Sequence, residues 1–423
     1  MFAIFMFPVT FLTVRHGVHV SLFVLLLVAA YHFWCIGLKN IQFDYPQDIF
    51  ILFIFSGLFL SVLISQIFRG AIHPAAFDGP SRILFAGIVF VFLKQLNIPY
   101  IKILSIAIPL GLICIFFSLQ MNPGAYWGER YAIYFVDPNT LGSQAFILGL
   151  ISILMIGLAQ DRSRVLMAFQ VAACAAALYI SIGSGSRGAW LTAPFIFFIM
   201  LVLRVGDIRI AHHSQKRRLW LQTIAICSTI LVVFLMGFFF SDALSGRIIG
   251  GYYEIKNWFT GVELWTSAGT RLSIWKFSFL FANESLLFGY GEEKNMMQVL
   301  QNSPLNIPIH ETAINTMALT GPHSDILSKL LSAGIFGLLA YLSLLALPFI
   351  IFWRHRNALD LDTKTASRVG LYYITGVFIA GLSNEQLSLK YLCTFYGLMI
   401  ATLLAQVLHK PSTAERSSIS SVA

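Results

Sequence analysis

Residues 325–353 read DILSKLLSAGIFGLLAYLSLLALPFIIFW, and this stretch decides the fold class. After Lys329 it continues for 24 residues without a charged side chain, and about 20 apolar residues suffice for a helix that crosses a bilayer. The rest of the chain has the same character. Of its 423 residues, 57% are hydrophobic and 11% are charged, whereas about 25% of the residues in a soluble domain are charged. This composition argues against a soluble enzyme, a disordered protein and a free nucleic-acid binder.

Polar residues, glycines and prolines divide the chain into twelve apolar runs, which we interpret as transmembrane helices. We therefore predict an all-α polytopic membrane protein with about 12 transmembrane helices and one large loop between the ninth and the tenth. The first and fourth runs are short for a hydrocarbon core of about 30 Å, so they are half-spans or extend beyond these limits. The runs are 2–13, 17–38, 48–68, 83–93, 100–119, 141–159, 165–183, 189–203, 219–240, 325–353, 369–382 and 391–408.

Lysine and arginine side chains gather in three short connections, and this asymmetry predicts the orientation. The connections are 162–164, 204–218 and 354–368, in a chain whose net charge is +9. With twelve spans, all three fall on the same side as both termini, and the positive-inside rule makes that side cytoplasmic. We therefore predict an N-terminal bundle of about nine spans (1–240), a large non-cytoplasmic loop (241–322), three C-terminal spans (323–408) and a cytoplasmic tail (409–423).

The large loop contains one pattern that indicates an amphipathic helix. Leu272, Trp275, Phe279 and Ala282 follow a 3-4-3 spacing, which places them on one helical face. Such a helix either lies on the membrane surface or caps the bundle. The spacing alone leaves both arrangements open.

A first candidate for chemistry is SIGSGSRGAW at residues 181–190, which interrupts two apolar runs. Its glycines let the backbone approach a ligand closely, and its serine hydroxyls and backbone amides can cradle an anion. Arg187 lies at the outer end of this break. An arginine at membrane depth is costly and is typical of a functional site. An interfacial arginine that reaches toward lipid headgroups explains the same pattern.

Two further motifs lie in or beside the large loop. In GTRLSIW (269–275), Arg271 is near a helix N-terminus, where the dipole disfavours a cation unless an anion also binds; a solvated surface arginine is the alternative. In GPHSDIL (321–327), His323 or Ser324 caps the next helix. A helix N-terminus favours a neutral imidazole, which is the form that a general base requires, so His323 is a candidate base or a simple cap. His310 and Glu311 are rival bases in the same loop.

The sequence contains no pattern that indicates a metal or a nucleotide cofactor. We find no GxxxxGK[ST], no HExxH, no Cys/His cluster and no Asp-rich pair. All five cysteines lie within apolar runs, and none forms a CxxC pair. We expect no metal and no cofactor. Arginines would then have to neutralise a phosphorylated lipid substrate, which guanidinium groups do bidentately at any working pH.

The motifs SGSRGAWL, GTRLSIW and PHSDILSKLLSAGIFGLLAYL occur in an order, a spacing and on a membrane side that resemble bacterial O-antigen ligases and the related O-antigen polymerases. FDGPSR, which contains Arg82, and the stretch 130–139, which begins at Arg130, are weaker matches. The resemblance implies that two arginines and a histidine are essential, and these carry over to Arg187, Arg271 and His323. Arg82, Arg130, Glu311 and His310 are possible supporting residues.

The resemblance also implies the reaction. Such an enzyme moves O-antigen glycan from undecaprenyl pyrophosphate to the lipid A-core oligosaccharide, on the periplasmic face of the bacterial inner membrane and without divalent metal or ATP. In-line attack at the anomeric carbon would invert its configuration. Membrane lipids are further partners, and no nucleic acid is expected. Two alternatives stay open: an O-antigen polymerase that uses the same donor, and a lipid-linked glycan flippase or transporter. The near absence of charge within the spans disfavours transport, because transporters place ionisable groups at the midplane.

Overall fold

The computed structural model describes residues 1–41, 43–122, 126–128, 130–156, 163–240, 242–291, 316–317 and 320–409. Within these ranges the chain is almost entirely helical, apart from one small hairpin of β1 (Tyr126–Trp127) and β2 (Arg130–Tyr131). The helices are α1 (Phe2–Thr10), α2 (Gly17–Ile36), α3 (Gln47–Arg69), α4 (Asp78–Lys94), α5 (Tyr100–Met121), α6 (Pro138–Met155), α7 (Arg164–Ser184), α8 (Arg187–Trp190), α9 (Thr192–Ile210), α10 (His213–Phe240), α11 (Asp242–Thr260), α12 (Ser267–Ala282), α13 (Asp325–His355), α14 (Leu361–Gly381) and α15 (Lys390–Leu408).

The helices confirm the prediction of an all-α polytopic membrane protein. In the described ranges, nine helices are long and apolar enough to cross a bilayer. All twelve predicted apolar runs overlap helices, but α1 has only nine residues, and α10 and α14 are not among the nine. The helix that contains the fourth run, α4, is longer than predicted, because it already begins at Asp78. The predicted tail beyond His409 and the whole segment 292–315 lie outside the described residues.

The core of the bundle is formed by α6, α14 and α15, whose residues are mostly buried. Small residues let these helices approach their neighbours closely. Because lipid is as apolar as the helix surfaces, close packing rather than the hydrophobic effect drives helix association in a membrane. A Cβ atom added to Gly149 of α6 would lie 2.5 Å from Cβ of Ala177 on α7, and one added to Gly397 of α15 would lie 2.8 Å from Cβ of Ala86 on α4. Any larger residue at these glycines would push the helices apart.

Each end of the bundle is identified by its own polar contact. At one end, Arg368 of α14 forms a bidentate ion pair with Asp207 of α9, at 2.6 and 2.7 Å, and this joins two of the basic connections. At the other end, the fully buried carboxylate of Asp325, at the start of α13, accepts the backbone amides of Gln386 and Leu387 at 3.0 and 2.9 Å. We call the second end the motif end, because the three sequence motifs lie there.

Helix α13 is not continuous. Ala333 and Gly334 have non-helical backbone angles, and Gly334 has a positive φ of 64°. Residues 286–291 fill the break: the amide of Tyr290 donates to the carbonyl of Leu331 at 2.7 Å, and the carbonyl of Leu286 accepts the amide of Ile335 at 2.8 Å. A Cβ on Gly334 would lie 2.2 Å from the carbonyl oxygen of Leu287, so only glycine permits this approach.

Helix α12 confirms the predicted helix, and its buried face matches the predicted one only in part: Ala282 is buried and Trp275 packs against the buried cluster, but Phe279 does not. Its buried residues include Ile274, Phe277 and Phe281, whereas Phe279 is 59% exposed. The buried side packs against Leu331 of α13 and Tyr290 of the break-filling segment. These tertiary contacts determine which face of α12 is buried. Because aromatic residues lie on both sides of the helix, the sequence pattern does not identify that face.

Candidate active site

Arg187 lies at the turn that connects α7 to α8. Helix α7 ends at Ser184, Gly185 takes a positive φ of 62°, and α8 begins at Arg187. Helix α6 supports this turn from behind, because a Cβ on Gly142 would lie 2.1 Å from Oγ of Ser184. The predicted interruption between two apolar runs is confirmed, and it holds Arg187 at the motif end of the bundle.

The serines of this turn do not form the predicted anion cradle. Ser184 donates to the carbonyl of Ser181 at 2.8 Å, and Ser186 donates to the carbonyl of Asn139 at 3.3 Å. Ser181 accepts from the indole of Trp190 at 3.1 Å. These hydroxyls satisfy protein groups within the bundle because they are buried, and a buried hydroxyl without a partner is costly.

The guanidinium of Arg187 forms a bidentate ion pair with Glu254 of α11. Nη1 and Nη2 donate to the two carboxylate oxygens at 3.0 and 2.9 Å, and both side chains are 23% exposed. Glu254 also accepts the amide of Ala268, in the first turn of α12, at 2.8 Å. Burial raises the pKa of Glu254, but the bonds from Arg187 and Ala268 outweigh it, so the pKa lies below its ordinary value. Glu254 is therefore the anion at the N-terminus of α12.

Arg271 lies one turn further along α12. Its Nη1 donates to the carbonyl and the hydroxyl of Ser267 at 3.3 and 3.2 Å. Its Nε is buried and has no hydrogen-bond partner among the described residues. Burial and the positive charge of Arg187 both lower the pKa of Arg271. The unmet donor and the crowding of positive charge both favour an additional anion at this place.

His323 lies in the tight turn that precedes α13. It has a positive φ of 51°, which is rare for a residue other than glycine and is typical of functional sites. Its Nε2 lies 3.0 Å from Oγ1 of Thr320, and the carbonyl of Pro322 accepts the indole of Trp275 at 3.1 Å. Ser324 is the N-cap residue of α13, although its side chain makes no capping bond. His323 is thus outside the helix rather than its cap.

Burial and the charge of Arg271 together lower the pKa of His323 to about 4. The charge of Asp137 acts in the opposite direction. The imidazole is therefore neutral at neutral pH, as the sequence predicts, although the causes are burial and a guanidinium rather than a helix dipole.

Two more arginines complete the site. Arg130, at the start of β2, donates from Nε to the carbonyl of Ser184 at 2.6 Å and from Nη2 to Oδ1 of Asn139 at 2.7 Å. Arg247 of α11 places its Cζ 3.3 Å from the position that a Cβ on Gly185 would take. Burial, followed by the charges of Arg247 and the other two arginines, lowers the pKa of Arg130.

We call Arg130, Arg187, Arg247 and Arg271 the arginine cluster. The charges of Arg187, Arg247 and Arg271 act on Arg130, Arg187 also acts on Arg271, and Arg271 in turn acts on His323. The structure therefore brings together the three motif residues, which are far apart in sequence. Sequence reasoning missed Arg247 and Glu254. A signal was present, because charges spaced seven residues apart lie on one helical face.

Arg82 belongs to a neighbouring group of charges at the same end of the bundle. Its Nη1 donates to the backbone carbonyl of Asp78 at 2.9 Å, and its Nε donates to Nδ1 of His19 at 3.4 Å. Lys390 forms an ion pair with the carboxylate of Asp78. No contact with the arginine cluster is described for Arg82, so its supporting role stays a prediction.

The remaining predicted site residues, His310 and Glu311, lie outside the described residues. Among the ranges that are described, no group of three or more His, Cys, Asp or Glu side chains is placed to hold a metal ion.

Comparison with known proteins gives two matches. Residues 171–342 match the model of a family described as O-Antigen ligase. This range contains Arg187, Glu254, Arg271 and His323. The chain is also similar to a protein of Haemophilus influenzae described as an uncharacterized protein, with 23% identity over 198 residues. That match covers 47% of this chain and 46% of the relative, so it spans less than half of the relative's length.

Proposed function

We propose that this chain, whose residues 171–342 match the O-antigen ligase family, is an inverting, metal-independent glycosyltransferase. It moves O-antigen glycan from undecaprenyl pyrophosphate to the lipid A-core oligosaccharide. The observation that carries the proposal is the convergence of Arg187, Arg271 and His323 at one end of the bundle. A family assignment alone would not separate a ligase from a polymerase.

The basic connections support the orientation of the site. The ion pair between Arg368 and Asp207 lies at the end opposite to the motifs. Because lysine and arginine remain on the cytoplasmic side, this end faces the cytoplasm, together with both termini of a twelve-span chain. The arginine cluster then faces the periplasm of a bacterium, at the outer surface of the inner membrane.

The arginine cluster provides the charge that the leaving group requires. Departure of undecaprenyl pyrophosphate leaves negative charge on phosphoryl oxygens, and preorganised cations in a partly dry site stabilise such charge strongly. Arg187 and Arg271 clamp the two phosphoryl groups of the donor, and the unmet Nε donor of Arg271 supports this role. A guanidinium binds a phosphoryl group through two hydrogen bonds and so also fixes its direction.

His323 accepts the proton of the attacking hydroxyl. With a pKa of about 4, only about one imidazole in a thousand is protonated at pH 7. In the empty pocket the group is a weak base. The two negative charges of a bound pyrophosphate oppose the effect of Arg271 and raise the basicity of His323, because a nearby anion favours the charged imidazolium. The base is then strongest when the donor is present.

The chemistry balances without a cofactor. The acceptor oxygen attacks the anomeric carbon as the bond to the pyrophosphate oxygen breaks, and His323 takes the hydroxyl proton. The electron pair of the broken bond leaves with undecaprenyl pyrophosphate. Attack opposite to the leaving group inverts the anomeric configuration. Alignment of the two substrates contributes much of the rate, as it does in other two-substrate reactions.

The test is transfer by purified protein. In detergent without a membrane potential, the wild type is incubated with the lipid-linked glycan and lipid A-core, and long glycan on lipid A is measured. We expect His323→Ala to abolish transfer and to leave pyrophosphate binding within about twofold of wild type. His212→Ala, at an exposed histidine of the opposite end, is the control and should transfer normally.

Other outcomes would identify the alternatives. Elongation of lipid-linked repeats, without glycan on lipid A, would identify a polymerase. A wild type that binds donor and transfers nothing, but moves it across vesicles, would identify a flippase. Full activity of His323→Ala would assign the base to another residue, with Glu311 and His310 as the next candidates.

A further inference from the structure

Glu254 occupies the place in the arginine cluster that an anionic substrate would need. Its carboxylate takes both Nη atoms of Arg187, at 3.0 and 2.9 Å, and also the amide of Ala268, at 2.8 Å. Resting on the proposed function, we propose that Glu254 is a built-in competing anion, which the pyrophosphate of the donor displaces from Arg187. The displaced carboxylate remains on α11, beside the site.

The charges of the site support this exchange. Among the described residues, the arginine cluster has four positive charges, and the two carboxylates that act on the site, Glu254 and Asp137, have two negative charges, so the sum is +2 with His323 neutral. A pyrophosphate that links a glycan to a lipid has two negative charges. A donor that replaces Glu254 at Arg187 therefore supplies two negative charges where the carboxylate supplied one, and the displaced carboxylate regains water.

Of the two carboxylates, only Glu254 is free to leave. Asp137 is the N-cap of α6 and accepts the amides of Asn139 and Thr140 at 2.9 and 3.1 Å. Loss of these bonds would expose the start of a buried helix. Glu254 is 23% exposed and lies on α11, a helix of the large loop, so its exchange for a phosphoryl group leaves the bundle intact.

The geometry also explains why a donor cannot simply bind beside Glu254. Arg271 offers one phosphoryl group its Nε, a buried donor that has no partner among the described residues. The second requires the paired donors of Arg187, and both already point to the carboxylate. A general-base role for Glu254 fits less well, because its pKa lies below the ordinary value and both oxygens accept hydrogen bonds.

The experiment measures binding of inorganic pyrophosphate to the purified full-length protein in detergent, by titration calorimetry. Glu254→Gln keeps the size of the side chain and removes its charge. We expect pyrophosphate to bind about tenfold more tightly to this variant, which corresponds to about 1.4 kcal/mol. Glu263→Gln is the matched control: it removes the same charge from an exposed position between α11 and α12, and its affinity should stay within about twofold of wild type.

Glu254→Ala is the second variant, and it should also bind more tightly, since it removes the competitor together with its hydrogen bonds. Unchanged or weaker binding in both folded variants overturns the proposal and makes Glu254 a support that holds Arg187 in place. An equal gain in Glu263→Gln overturns it as well, because the effect would then be general charge.

Glycan transfer, measured in parallel, separates the two proposals. A wild type that transfers glycan, with variants that show no gain in binding, leaves the function standing and removes the competing anion. If the variants bind pyrophosphate more tightly but the wild type transfers no glycan, the competing anion stands and the proposed function is removed.

Discussion

Arg271→Gln is expected to raise the pKa of the His323 imidazole. Burial, followed by the charge of Arg271, lowers that pKa from 6.5 to about 4. Glutamine keeps hydrogen-bonding atoms but has no charge, so the substitution removes the second cause and leaves the first. The whole depression is about 2.5 pKa units, and burial is its larger part, so we expect a rise of about one unit.

Reactivity toward diethyl pyrocarbonate provides the assay, because the reagent modifies neutral imidazole only. The modification of His323 is followed by peptide mass spectrometry in detergent as the pH is lowered from 8 to about 4.5. The wild type should react at a nearly constant rate over most of this range. In Arg271→Gln the rate should fall by half near pH 5, because protonation begins about one unit higher.

Arg247→Gln is the matched control for this experiment. It removes the same charge from the arginine cluster, but Arg247 is not among the groups that act on His323. Its profile should follow that of the wild type. The reasoning is refuted if Arg271→Gln leaves the profile unchanged, or if Arg247→Gln shifts it equally.

Three further substitutions test the construction of the site. Arg187→Lys should lower glycan transfer about tenfold to a hundredfold in steady-state assays, since an ammonium cannot replace a bidentate fork; near-normal turnover would contradict the clamp. Asp325→Ala should destabilise the protein by about 3 kcal/mol, because two buried backbone amides lose their acceptor, and an unchanged thermal midpoint would count against this. Gly142→Ala should lower transfer at least about tenfold, because its Cβ would meet Oγ of Ser184 at 2.1 Å. Its control is Gly206→Ala, where a Cβ meets nothing within 4 Å, and a similar loss in both variants would show that helix glycines are sensitive in general.

The fold could be predicted from the sequence where composition alone determines it. Apolar runs must become helices in a membrane, because lipid offers no partner to the backbone. The ends of the helices were less predictable, since α4 continues through a polar first turn that hydropathy treats as a loop. The break at Gly334 was also hidden: a glycine in an apolar run is equally consistent with close packing, and the segment that fills the break is distant in sequence.

The sequence indicated three of the four clustered arginines and His323, but not Arg247 or Glu254. Arg187 and His323 each adjoin glycine, serine or proline, and Arg271 has Gly269 and Ser273 two residues away on either side, so these neighbours made the three residues visible in an apolar sequence. Glu254 lies within a regular helix and has no such neighbours in a turn. Its pairing with Arg187 depends on how α11 meets the bundle, which is a tertiary contact that no local pattern encodes.

The discontinuity in α13 limits how this protein can be altered. A helix in lipid must find partners for every amide and carbonyl that its own ladder releases, and here residues 286–291 provide them. The large loop therefore cannot be removed as an independent unit, because its residues 286–291 complete α13, the helix that follows His323. A graft of this segment from a relative should fold only when it includes both residues 286–291 and the first turns of α13, because the two pieces complete one another's backbone.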